Sequence, residues 1–175
     1  ILGTLGAIYS KLGKYKEAIS VFKKLMETTS HKMAVGHDLA DLLFRTGEYS
    51  ETIDVLNDLI EAEPRNRTAR ILLGRAQVGL RRFPEAIETF QAIVKMSPGD
   101  LEALFYLGTA YEQAGKYGDA SNIFSELLKT ANTNSDEALA NRPVFQQHLA
   151  ASYMEMGEYE KAIGMLEEAL KLNPD

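Results

Sequence analysis

The chain has 175 residues, 45% of them hydrophobic, enough to bury a sizeable core, and it carries a net charge of -6 with a pI near 5.2. That acidic balance argues against an extended nucleic-acid surface, which needs a basic stripe. No apolar run reaches the roughly 18 residues of a membrane span, and the absence of cysteine excludes a disulfide framework, a thiolate nucleophile and a zinc knuckle.

Near-copies of Gly157-Glu158-Tyr159-Glu160-Lys161-Ala162 recur at Gly13-Lys14-Tyr15-Lys16-Glu17-Ala18, Gly47 to Thr52, Arg81 to Ala86 and Gly115 to Ala120. The aromatic in third place falls at Tyr15, Tyr49, Phe83, Tyr117 and Tyr159, which gives three spacings of 34 residues and one of 42. A fixed period of this kind defines a repeat architecture. Glycine in first place takes the left-handed backbone that ends one helix, and the acid before the small residue suits the positive first turn of the next. Ala18, Ala86, Ala120 and Ala162 are small where two helices cross closely, with Thr52 the one departure, and the preceding ring covers the joint. The pattern encodes a helical hairpin.

In chain order, residues 1–32 form a repeat that lacks its first two positions, with Leu2, Leu5, Gly6 and Tyr9 on a first helix and Ala18, Phe22 and Leu25 on a second. Residues 33–66 are a complete unit closed by Pro64, since proline just past a helix end prevents continuation. Residues 67–100 follow with Leu73, Gly74, Ala86, Phe90 and Pro98. Their turn carries Arg81 in the glycine place, and Gly79, two residues earlier, is expected to shift the helix end. Residues 101–134 are the cleanest copy, with Asn132 in place of the closing proline. Residues 135–142 are an insertion whose capping Ser135 and early acids predict a short helical extension ahead of Pro143, mobile or protruding. Residues 143–175 repeat the unit and close on Pro174, and both ends of the array look open. Five hairpins without strands are expected. Their core should hold Tyr9, Ala18, Phe22, Leu39, Leu56, Leu73, Ala86, Phe90, Leu107, Tyr111, Ala120, Phe124, Leu149, Ala162 and Leu166.

The sequence resembles the tetratricopeptide repeat superfamily, whose 34-residue signature runs large residue, Leu-Gly, Tyr, small Ala, aromatic, Ala, Pro. Leu104, Leu107-Gly108, Tyr111, Ala120 and Phe124 follow it, and Pro64, Pro98 and Pro174 supply the closing proline in other copies. No tryptophan opens any repeat, Arg70 holds that slot in the third, and Thr52 replaces the small alanine in the second. The resemblance implies an all-α, right-handed solenoid of tandem antiparallel helix-turn-helix repeats, with the first helices lining a concave groove that binds peptides or proteins. A single hairpin cannot cover its own apolar faces, so neighbours stack.

Catalytic constellations are missing from the sequence. It has no His-Glu-x-x-His helix, no phosphate-binding Gly-x-x-x-x-Gly-Lys-Ser/Thr loop and no Gly-x-Ser-x-Gly elbow. His31, His37 and His148 lack helical ligand spacing with one another, so a surface or partly packed role outweighs a metal role. Asn66-Arg67-Thr68 matches a glycosylation acceptor but sits in an inter-repeat turn, and Asp38 with Asp41 reads as a solvated face. The expectation is a protein that is not an enzyme and has no cofactor or metal.

Projected onto the family's groove, the slots include His37, Asp41 and Phe44, then Ile71, Arg75 and Val78, then Phe105 and Thr109. The expected partner is an extended or helical protein segment along the first helices of repeats two to four, with apolar anchors near Ile71 and Phe105 and an acid near Arg75. Within the chain, Asp41 is the expected ion-pair partner of Arg75, because the two hold equivalent slots one repeat apart. Some tetratricopeptide domains clamp a chaperone's C-terminal carboxylate with lysine, asparagine and arginine. Gly3, Ala7, Asp38, Thr68 and Leu72 occupy those places here, so the resemblance does not extend to that activity. The leading expectation is thus a protein–protein interaction scaffold that binds neither nucleic acid nor membrane. The alternatives are the substrate-recruiting arm of a larger enzyme and a module that self-associates through uncapped ends. Ile1 already lies inside a helical pattern, which reads as a piece of a longer protein, cytoplasmic by default.

Overall fold

The computed structural model describes residues 1–131 and 136–172. Among the described residues there are ten helices and no strand: α1 Leu2–Lys11, α2 Tyr15–Thr28, α3 Lys32–Arg45, α4 Tyr49–Ala62, α5 Arg67–Gly79, α6 Phe83–Met96, α7 Leu101–Gln113, α8 Tyr117–Ala131, α9 Asp136–Glu155 and α10 Tyr159–Leu172. The chain divides into two compact units, 1–82 and 83–175. In the first unit α1 to α5 pack each on the next, and α3 also touches α5; in the second, α6 to α10 do the same and α7 touches α9. First helices therefore lie beside first helices within each unit, which is the stacking that tandem helix-turn-helix repeats require.

The turns follow from backbone chemistry. Gly47 sits at φ 81°, its N–H donating to the Phe44 carbonyl at 3.1 Å while Glu48 N–H donates to the Leu43 carbonyl at 2.9 Å. This pair of bonds satisfies the last free carbonyls of α3 and stops it. The third turn corrects the expectation for Gly79. Arg81 itself adopts the left-handed conformation, at φ 59°, and Arg81 and Arg82 make the same two bonds to Val78 and Gln77 at 2.8 Å each. The helix end does not shift, because hydrogen bonding holds an arginine where the other turns use glycine. Gly79 is small for another reason: a Cβ there would lie 2.7 Å from the Tyr49 ring.

Packing centres on the crossing of the two helices in each hairpin. In the second unit Leu104, Ala120, Phe124, Leu127, Phe145 and Leu149 form one buried cluster. Phe124 lies flat against α7 because position 108 is glycine; an added Cβ would meet the ring at 2.7 Å. The first unit repeats the joint, with Phe22 against Gly6, and holds two clusters, one around Phe22, Leu39 and Leu43 and one around Leu56, Leu59 and Leu73. Thr52, the departure from alanine, is fully buried and donates its hydroxyl to the Glu48 carbonyl at 2.9 Å, so the polar atom carries no desolvation penalty.

Three residues expected in the core are not buried. Tyr9 and Tyr111 are half-buried, and the Tyr111 hydroxyl accepts from Gln91 Nε2 at 2.7 Å, so the phenol end faces outward. Leu166 is 37% exposed, because no described helix follows α10 to cover it; Phe124 at the equivalent place in α8 is fully covered. Pro64 and Pro98 fall just past the ends of α4 and α6, while Asn132, Ser135 and Pro174 lie outside the described residues. Residues 136–142 are the opening turns of α9, and Pro143 sits inside that helix, where it removes one backbone hydrogen bond.

Ala120, fully buried, is the sharpest test of the crossing. Ala120→Leu is expected to lower unfolding free energy by about 1–3 kcal/mol through overpacking, measured by urea denaturation. An unchanged midpoint would place the crossing elsewhere.

Candidate functional site

The first-helix face of unit 1 carries His37, Asp41 and Phe44 on α3 and Ile71, Arg75 and Val78 on α5. The structure brings Phe44 and Arg75 together: the guanidinium lies over the ring, 4.7 Å from its centroid, and Tyr49 abuts the same ring at 5.4 Å. A cation over an aromatic face is attracted by the ring's negative quadrupole. Asp41 is not the partner of Arg75. It faces Arg45 one turn along its own helix, at 3.8 Å, because an i,i+4 neighbour is within reach while the Arg75 head is held over Phe44.

Ile71 also departs from expectation. At 5% exposed it belongs to the core and offers no surface to a partner, whereas Val78 is half-buried. His37 is bonded within the unit, its Nε2 lying 3.0 Å from Asn66 Nδ2. Asn66 Oδ1 accepts from Ala69 N–H at 3.0 Å and so caps α5, which leaves Nδ2 facing His37 and, at 3.0 Å, Glu63. Since the amide nitrogen only donates, His37 Nε2 is the acceptor and its proton sits on Nδ1. The same bonds tie up the asparagine of the Asn-x-Thr triplet as a helix cap.

Unit 2 has Phe105 and Thr109 on α7. Thr109 donates to the Tyr106 carbonyl of its own helix at 2.9 Å. Phe105 is half-buried at the centre of an aromatic group, with Tyr106, Phe145 and His148 rings 5.8, 6.0 and 5.3 Å away. Its remaining face lines a cleft of about 410 Å³ with Leu101, Glu102, Asn141, Val144 and Phe145.

Behind Phe105 lies a polar set that sequence reasoning missed. Glu112 accepts from Ser152 Oγ at 3.1 Å through one oxygen and lies 2.7 Å from His148 Nδ1 through the other, while the His148 ring stacks on Phe124 at 4.8 Å. The carboxylate accepts, so Nδ1 carries the proton. These three residue types in contact do not make a nucleophile, because the serine hydroxyl is bonded to the carboxylate and not to the imidazole that would have to take its proton. The set ties α7 to α9. The signal was present in Ser152, which stands where the three preceding repeats have Leu42, Ala76 and Ala110, all buried. Among the described residues no group of three or more His, Cys, Asp or Glu side chains is placed to hold a metal, and no helix is long and apolar enough to cross a membrane.

Profiles of the family described as "Tetratricopeptide repeat" match residues 37–100 and 71–137, 146–175 and 1–32. A comparison with curated protein sequences returns no match. Among solved structures, the chain is similar to MamA, residues 41 to the end, from Desulfovibrio magneticus RS-1, at 16% identity over 99% of this chain and 93% of that one, with a TM-score of 0.83. It is similar to YrrB, described as a TPR protein with an unusual peptide-binding site, at 20% identity over 99% and 86%, TM-score 0.75. A tetratricopeptide repeat protein from Parabacteroides merdae ATCC 43184 aligns at 19% identity over 97% and 63%, TM-score 0.77. At these identities the likeness is one of fold.

The Glu112 set yields a stability test. Glu112→Ala leaves the fully buried Ser152 hydroxyl and the His148 N–H without their acceptor and should cost about 1–3 kcal/mol. Glu112→Gln, which keeps one acceptor oxygen and the shape, should cost less in the same urea titration.

Proposed function

The chain belongs to the tetratricopeptide repeat family, and from that premise we propose that its first-helix faces bind a protein segment through one apolar anchor seated beside Phe105. An array of this family is a non-catalytic scaffold for proteins or peptides. The observation that carries the finer reading is the cleft of about 410 Å³, large enough for one amino-acid side chain, with apolar walls from Leu101, Val144 and Phe145 and an acid, Glu102, on its lining. Anchors of this kind supply most of the affinity of an interface.

Val144, 38% exposed, tests the cleft without disturbing the core. Val144→Glu places a charge in the apolar wall and should weaken a partner recovered from cell extract at least tenfold, or about 1.4 kcal/mol. Calorimetric titration of the variant against that partner is the measurement. Parent-like affinity, with loss on changing exposed second-helix residues, would move the site off the first helices.

A further inference from the structure

His148 stands beside the cleft with half of its hydrogen-bonding capacity unused. Its Nδ1 donates to Glu112 at 2.7 Å, so in the neutral ring Nε2 carries a lone pair and no hydrogen. Among the described residues Nε2 has no hydrogen-bond partner. Arg142 Nε and Gln146 Oε1 also lack one, but both are sealed from solvent, where no partner can reach them. Nε2 is not sealed in this way, and the His148 side chain is 32% exposed, so this acceptor meets water.

The ring is also held in place. It stacks on Phe124 at 4.8 Å with 12° between the planes, and it stands at 81° to Phe105 at 5.3 Å. The carboxylate that fixes Nδ1 is itself bonded by Ser152 Oγ at 3.1 Å through its other oxygen. An acceptor fixed before a partner arrives gives up little freedom on binding. Its position on α9 is as specific as its orientation. His148 follows Val144, which lines the cleft, by four residues, so the two share a helix face about 6 Å apart along the axis. Phe105, which lines the cleft as well, touches the His148 ring directly.

A polypeptide carries the matching donor. An extended segment advances about 3.3 Å per residue, so with one apolar side chain in the cleft, a main-chain N–H one or two residues away falls level with His148. We propose that His148 Nε2 accepts a hydrogen bond from a main-chain N–H of the bound segment beside its apolar anchor, with Glu112 and Ser152 acting as positioning residues for the imidazole. This rests on the cleft reading and adds to it a choice of main-chain form. A helical segment bonds its N–H groups internally beyond the first turn, and proline has none, so the contact favours an extended segment without proline at that place. Any other residue supplies the N–H whatever its side chain, so the contact reads main chain and not sequence.

The test pairs the 175-residue chain with N-acetyl-leucine N-methylamide, which has main-chain N–H groups, and with the analogue methylated on both nitrogens, which has none. Binding is followed by NMR at the Val144 methyl and Phe105 ring signals, and the His148 nitrogens are followed in long-range proton–nitrogen spectra. The free protein should show the proton on Nδ1 and a bare Nε2; a proton on Nε2 would overturn the proposal at once. The first ligand should bind about fivefold more tightly than the second and should move the Nε2 resonance. In His148→Asn the amide nitrogen replaces Nδ1 against Glu112 and nothing replaces Nε2, so the two affinities should become equal. Their ratio within one protein cancels any loosening of Phe105, and if this variant does not fold, the ratio and the Nε2 shift in the parent decide. Equal affinities in the parent, or a preference that survives in His148→Asn, would overturn the contact and leave the cleft standing. If neither ligand moves Val144 or Phe105, the cleft reading itself falls, and the contact with it.

Discussion

The contact on which the first and fourth hairpins depend is a ring laid against a helix backbone. Phe124 reaches α7 because Gly108 has no Cβ to hold it off, and Phe22 reaches α1 past Gly6 in the same way. Close approach of two helices is what fills the space between them at interior density. Burying a phenyl ring is worth about 1.5–3 kcal/mol, and here it also sets the distance at which Ala18 and Ala120 fit. Once this crossing is fixed, the turn length and the stacking of the next repeat have little freedom. The repeat period therefore reports a geometry as well as an ancestry.

That geometry was legible in the sequence because it is enforced locally. Glycine, alanine and an aromatic at fixed offsets act within one hairpin, so their spacing alone places the helices. Arg81 shows where the reading by residue type runs out. The turn keeps its form because the bonds to Gln77 and Val78 stabilise it, and the intrinsic preference of the residue at the left-handed position is the weaker term. Side-chain partners were less legible. Asp41 and Arg75 hold equivalent slots, yet a nearer cation and a nearer ring decide where each goes. Ile71 has the residue type of an anchor, but only its burial shows that the core already uses it.

The polar set of Glu112, His148 and Ser152 draws on two helices separated in sequence, and no spacing rule joins them. Its physical effect is to remove freedom from the α7–α9 contact. Two donors converge on one carboxylate in a site sheltered by Phe105 and Phe124, and a half-satisfied arrangement there would be costly. One register of the two first helices is thereby favoured over its neighbours. Hydrophobic contact alone, being non-directional, would discriminate among them less.

This has a consequence for binding. Phe105 is at once a wall of the cleft and a member of the aromatic group that touches His148 and Phe145. A ligand side chain that fills the cleft adds dispersion contacts to a ring already held by the fold, so little ordering entropy is lost on that side. Val144 differs, because it stands exposed at the cleft and packs little in the free protein. Val144 can therefore change with small effects on folding, while Phe105 is held by its packing as well. Repeat proteins diversify their partners along such a division: the crossing residues stay committed to packing, and the first-helix residues that packing does not need are left to recognition.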